Sequence, residues 1–495
     1  MPSSSSSAWS DPPPRTPFPL AQAGGVDFFR LIVTLNFMRI LSLLSFTLAT
    51  GPLVLGAENS KTPAIALSSV ESASEAAIFH PDSDHLWNQL HAALFVRVDQ
   101  AGQQYGSDAV DPLLWPGTSV FLLQGKSHTR AIRLLDQFIA EEGASQIKNP
   151  VKRAVMQHDL WAIFDWTANT FNPLPYGGKV DPKKHATVKL TNARKALRQR
   201  LAKAITSLAL NEREIASLPN NYARAIAAKT FNTRFDEKDP HQPLLPSDLL
   251  NPDSSWVCVR GALNGPSAPV HMQYYRGRSP FLVFLKLPGR RDATLDYLAR
   301  LNKHSGKALQ PEDWDKNLPL FPAGTAVALV RQMTAINQAG EMVSTPLVQS
   351  VQLRVYRKVG QKVTDHKTSQ AVYKFTLNRH DLFANKTGGL KPVSLEKRTG
   401  LSLLYNEDYF ESDRYASRDT VMQSCINCHS CGGATAKSIF SFKQDDWVRA
   451  AHSMDPNALR LTPTDIDLEQ KRAISWKSQR HDWGLLQGWL ETQAQ

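Results

Sequence analysis

Apolar residues recur every third or fourth position over several stretches between residues 80 and 235, and alternate with polar ones between about 240 and 395. The first spacing is the period of a helix buried on one side, and the second that of a half-buried strand. Leu86, Leu90, Ala93 and Leu94 share one helical face behind Ser83, a candidate N-cap. Ile132, Leu135, Phe138 and Ile139 predict a helix over 129–142 with Gly143 as its C-cap. Pro150 suits the first turn of a helix through Trp161, Phe164 and Trp166, aromatics that read as core. Leu190, Ala193, Leu197, Leu201, Ile205 and Leu208 predict a helix over 186–210. Its other faces carry Lys189, Arg194, Lys195, Arg198, Arg200 and Lys203, a solvated face or a docking face for an acidic partner.

A proline-rich linker, Asp239 to Pro246, ends the helical stretch. Beyond it, Trp256–Val259, Phe281–Leu287 and Ala371–Leu377 read as strands. Thr325–Ala335 and Val348–Tyr356 read as the arms of a long hairpin turning at Gln338-Ala339-Gly340. Short alternating strands predict an antiparallel sheet with one polar face. The fold class expected is α+β and multi-domain. A helical domain spans 80–235, a β-rich domain 236–395, and a small, mostly helical region 396–495.

The amino terminus reads differently. Residues 1–37 include Ser3–Ser7 and Pro12–Pro14, a composition that builds no core, so they are an extension or a mis-assigned start. Met38-Arg39, the apolar run Ile40–Leu55 and small Gly56-Ala57 have the plan of a secretory signal peptide over 38–57. The run is short for a membrane span, although an uncleaved anchor is the alternative. Residues 58–79 read as a linker. The expected location is extracytoplasmic or periplasmic, with membrane contact only if the signal segment stays.

The 495 residues carry a net charge of +12. That balance favours acidic partners or serves solubility alone, and the basic residues form no long block of the kind that binds nucleic acid. Gly125-Lys126-Ser127 lacks the earlier glycine of a phosphate-binding loop, because Val120 holds that place. His158, in an apolar stretch, reads as a hydrogen-bonded core histidine. The chain has no G-x-S-x-G, H-E-x-x-H or G-x-G-x-x-G sequence.

The chemistry gathers near the carboxy terminus. Of four cysteines, at 258, 425, 428 and 431, three fall within seven residues. Cys425-Ile426-Asn427-Cys428-His429 has C-x-x-C-H spacing. Cysteines three apart lie on one side of a helical turn and reach the two vinyl groups of one haem, and the next residue supplies an imidazole to iron. The stretch resembles the haem-attachment motif of c-type cytochromes. The resemblance implies one covalent haem c on Cys425 and Cys428, with His429 as proximal ligand. Met454 is the favoured distal ligand and His452 the second; His481 lies later. Ile439, Phe440, Phe442 and Trp447 suit a haem edge or ordinary core. Thr462 to Asp465 reads as a helix start, and Asp482 as the cap of a closing helix with Trp483, Leu486 and Leu490.

The leading expectation is therefore an extracytoplasmic cytochrome-like electron carrier with an acidic redox partner protein. One alternative is a haem-dependent redox enzyme whose active site lies in the α/β body. The other is a non-haem binding protein held by disulfides or a metal through the four cysteines. Cys258 and Cys431, unused by haem, are a disulfide candidate; the competing reading makes Cys258 a buried thiol.

Overall fold

The computed structural model describes residues 77–98, 104–106, 121–168, 188–261, 267–268, 271–272, 275–304, 321–359, 369–394, 422 and 461–494. The first helix, α1 (Leu86–Phe95), starts at His85 and not at Ser83, because the His85 imidazole accepts the Trp87 amide at 3.3 Å. A two-stranded ribbon follows, β1 (Arg97–Val98) with β2 (Gln104–Tyr105). Helix α2 (Gly125–Ala140) begins four residues before the predicted 129, since Gly125-Lys126-Ser127-His128 carries no apolar signal. Its end differs too. Glu142, at φ 51°, takes the left-handed turn and Gly143 opens a short helix, α3 (Gly143–Gln146). Gly143 is needed for another reason: a Cβ there would stand 2.6 Å from the Phe138 ring.

Helix α4 (Pro150–Ala168) opens at Pro150, and α5 (Val188–Ser207) buries five of the six residues of the predicted apolar face, the sixth, Leu208, being buried just past its end. Two short helices follow, α6 (Glu212–Ala216), opened by an Asn211–Glu214 capping box, and α7 (Asn221–Ala227).

The described strands beyond α7 build one antiparallel sheet. Its strands are β3 (Val257–Gly261), β4 (Phe281–Lys286), β5 (Ala326–Ile336), β6 (Met342–Tyr356), β7 (Gln370–Leu377), β8 (Leu390–Pro392) and β9 (Leu461–Pro463). They lie in the order β8-β7-β6-β5-β4-β3-β9. The β5–β6 hairpin turns where expected, with Gly340 at φ 79°. It is longer than its alternation indicates, because the register shifts between Arg331 and Thr334 and β6 begins at Met342. Helix α8 (Arg291–His304), between β4 and β5, was not signalled by the alternating pattern, and the short α9 (Arg379–Phe383) follows β7.

The sheet is apolar on both faces. Leu282, Phe284, Val330, Leu353 and Phe375 join Trp161, Leu197 and Leu201 of the helices in one core. On the other face Val257, Val259, Leu285 and Val327 meet Tyr297, Leu298 and Leu301 of α8. A large apolar side chain fully buried in such a core contributes roughly 1.5–3 kcal/mol. The last two helices, α10 (Ile466–Ser478) and α11 (His481–Ala494), belong to this body. Trp483 and Leu486 enter the shared core, and the Trp483 ring lies 5.6 Å from that of Trp161 on α4. The closing helix thus packs on the helical body through Trp483 and Leu486, two of the residues whose helical spacing predicted it.

The described residues all fall within one compact unit, Ser68–Gln495. The architecture is mixed helix and antiparallel sheet, an α+β fold. Among the described residues no helix is long and apolar enough to cross a membrane. The 1–37 extension, the apolar run 40–55 and its expected cut lie outside them.

Candidate functional site

Cys425, Cys428, His429, Cys431, His452 and Met454 lie in the stretch 423–460, outside the described residues, as do Ile439, Phe440, Phe442 and Trp447. The structure places the two ends of that stretch. Before it, Met422 is buried. After it, the chain is fastened at once. Asn302 of α8 donates to the Leu461 carbonyl at 2.8 Å and accepts the Leu461 amide at 3.2 Å. Strand β9 pairs with β3, and Arg260 Nε donates to Thr462 Oγ1 at 3.0 Å. The Thr464 amide then donates to the Cys258 carbonyl at 2.9 Å. Glu469, buried on α10, accepts from Thr464 Oγ1 at 3.1 Å and from Ser267 Oγ at 2.6 Å. Two backbone groups, a strand pairing and a buried carboxylate therefore fix the exit of the motif-bearing stretch.

Cys258 sits in β3 beside that exit. It is a free, buried thiol, in line with the buried-thiol reading of this residue; its candidate partner Cys431 lies outside the described residues. Burial pushes the thiol up to about 12, helped by the charges of Glu469 and Asp465. A thiol so held is neither a ready nucleophile nor a ready metal ligand. Among the described residues no group of three or more His, Cys, Asp or Glu side chains is placed to hold a metal ion. His481 is exposed at the start of α11.

The second structural feature of the site is a set of buried charges that the sequence reading missed. Asp165 Oδ2, on α4, accepts from Arg278 Nη1 at 2.8 Å and from Lys477 Nζ at 2.7 Å. Lys477 Nζ also donates to Asp482 Oδ1 at 2.9 Å and lies 5.4 Å from the Trp161 ring centre. Arg480 approaches the other Asp482 oxygen at 3.4 Å. Asp482, expected as a helix cap, is instead a wholly buried counter-ion. Burial raises the Asp165 carboxyl above its usual range, against the pull of Lys477. The three carboxylate bonds of Lys477 and Arg278 tie α4, the approach to β4 and the α10–α11 hairpin together, so the segment after the motif is locked to the body.

Helix α4 carries more of this kind. Arg379 grips Asp159 through two bonds, of 2.7 and 3.0 Å, and its guanidinium lies 4.6 Å from the Phe95 ring centre. Gln157 donates to the carbonyls of Ile205 and Ile336 and accepts the Ile336 amide at 2.8 Å, linking α5 to β5. His158 is in the core as expected, with Nε2 3.3 Å from Ser279 Oγ, which donates to Gln349 Oε1 at 2.5 Å. Burial and the nearby Arg278 and Arg331 hold His158 well below the ordinary histidine range. A histidine that stays neutral is a poor base for activating Ser279, and both are buried. These groups hold elements together. The sequence signal for them was polar residues at Gln157, His158, Asp159 and Asp165 inside an otherwise apolar helix.

Comparison with family models, curated proteins and solved structures finds no match for this chain.

Proposed function

We propose that this protein is an extracytoplasmic c-type cytochrome-like electron carrier with one covalent haem c. The observation that carries the reading is Cys425-Ile426-Asn427-Cys428-His429. Cys425 and Cys428 hold the haem as thioethers and His429 binds its iron. Met454 is the distal ligand, with His452 second; a methionine there raises the potential relative to two histidines. Bound in this way, haem supplies a one-electron couple. The fixed exit at Leu461–Thr464 supports the reading, because a carrier works best when its ligand frame changes little with charge state. Cys258, the one described cysteine, is buried with its thiol pushed up, which takes it out of a competing metal site. The apolar run 40–55 supports export, which covalent attachment in bacteria requires.

The test is expression with a haem-attachment system. Haem should stay with acid-extracted, denatured protein and add one haem to the intact mass. Replacing Cys425 and Cys428 by Ala should abolish both signals. Protein that sheds all its haem on acid extraction, or never takes any, sinks the reading. Met454→Ala should lower the potential and remove the methionine-to-iron band; an unchanged spectrum beside an altered His452→Ala moves the role to His452.

A further inference from the structure

We infer that the groove between α2 and α5 docks an acidic segment of a partner protein. The inference goes beyond the haem reading and does not depend on it. The groove is open and holds about 890 Å³. Leu123 and Ala193 give it an apolar floor, and Lys126, His128, Arg130 and Arg133 stand along its rim. Lys126, Arg130 and Arg133 are exposed. Spaced four and three positions apart, they stack along one side of α2, where like charges repel. The first turn of α2 holds no acidic residue, although a helix amino terminus favours one. Among the described residues, α2 and α5 themselves supply no free acid to the rim. Asp136, the only acid on α2, is taken by Arg200 through bonds of 2.7 and 3.0 Å, and α5 contains no acid. The fold therefore keeps this rim cationic against its own local electrostatics, a cost that an arriving anionic surface offsets.

Shape selects among anions. From Lys126 to Arg133 the rim runs roughly 10 Å at the helical rise, more than one phosphate spans. The length suits two or three carboxylates along a peptide, with an apolar side chain between them reaching Leu123 and Ala193. A flat lipid surface would meet the rim and leave that recessed floor uncovered.

The test compares two full-length variants of equal net charge. One is Lys126→Glu, Arg130→Glu, Arg133→Glu. The other changes exposed residues elsewhere, Arg213→Glu, Arg234→Glu, Lys238→Glu. The probe is a labelled synthetic Glu/Leu peptide, with phosphatidylglycerol vesicles and inorganic phosphate as the other arms. Binding is read by anisotropy or co-sedimentation, and haem content separately by absorbance, so either reading can fail alone. The groove variant should bind the peptide about tenfold more weakly, as loss of complementary charges predicts, and the other variant should lose much less. The groove variant should stay folded, because Lys126→Glu places an acid in the first turn of α2 and the other two changes are at exposed positions. Equal losses in the two variants would reduce the effect to net charge and overturn the proposal. So would unchanged peptide binding in the groove variant, or a defect confined to vesicles or to phosphate.

Discussion

Lys477 Nζ meets Asp165 Oδ2 at 2.7 Å across 312 residues of sequence, with both side chains wholly buried. The pair fastens the last two helices to α4, so the chain on either side of the haem-motif stretch belongs to one frame. Lys477→Met leaves a buried carboxylate short of one partner, and breaking such a pair costs about 3–5 kcal/mol. Urea denaturation should show a clear fall in midpoint. A loss under about 1 kcal/mol, the worth of an exposed pair, would mean that the network is not holding the hairpin.

Acid should weaken the fold through His158. Its folded form resists the proton that the unfolded chain accepts below the ordinary value of 6.5. The unfolded state then binds more protons, so this contribution is present above pH 6.5 and is lost as pH falls below it, by up to about 1.4 kcal/mol per pH unit. Asp159 and Asp165 act in the opposite direction, since burial raises both carboxyls and favours their protonation in the fold. They are common to wild type and His158→Gln. The stability difference between the two proteins should therefore change as pH drops from 7 to 5; a constant difference would rule out the linkage.

Cys258 should be silent in the native protein. With its thiol pushed up to about 12 and buried, a thiol reagent at pH 8 should reach it only after denaturant is added. Peptide mapping of the labelled chain gives the answer. Native labelling at Cys258 comparable with the denatured protein would contradict the packing of β3.

Asn302 should control the order of the motif's exit. Its side chain satisfies both backbone groups of Leu461. Asn302→Ala leaves them to find water, and an unpaired buried polar group costs about 1–3 kcal/mol. Hydrogen exchange at the Leu461 amide should accelerate by an order of magnitude or more while β5 and β6 stay protected. Equal exchange in the two proteins would show that β9 is held by β3 alone.

Most of the frame was legible because burial on one side leaves a period in the sequence. Strands β3 to β7 and helices α1, α2, α4 and α5 follow apolar spacing. What was hidden had polar residues doing interior tasks. Lys477, Asp482, Arg278 and Arg379 look like surface residues until each is seen facing its partner, and pairing across hundreds of residues leaves no local pattern. Helix α8 was missed because its short buried set, Tyr297, Leu298 and Leu301, is flanked by the charged Arg291, Asp292, Asp296 and Lys303. Caps moved for similar reasons: His85 and Glu142 took positions that Ser83 and Gly143 fit by type. The haem motif was read from spacing alone, and its residues lie outside the described part of the chain.

The two outermost strands of the large sheet are alike. Leu390-Lys391-Pro392 and Leu461-Thr462-Pro463 each run three residues and finish on proline. Proline offers no amide hydrogen, and so short a rim gives an incoming strand almost nothing to register against. A sheet whose central strand runs 11 residues thus tapers to short, proline-ended strands at both edges. The molecule can expose adhesive charge in its groove without inviting its copies to polymerise through their β-structure.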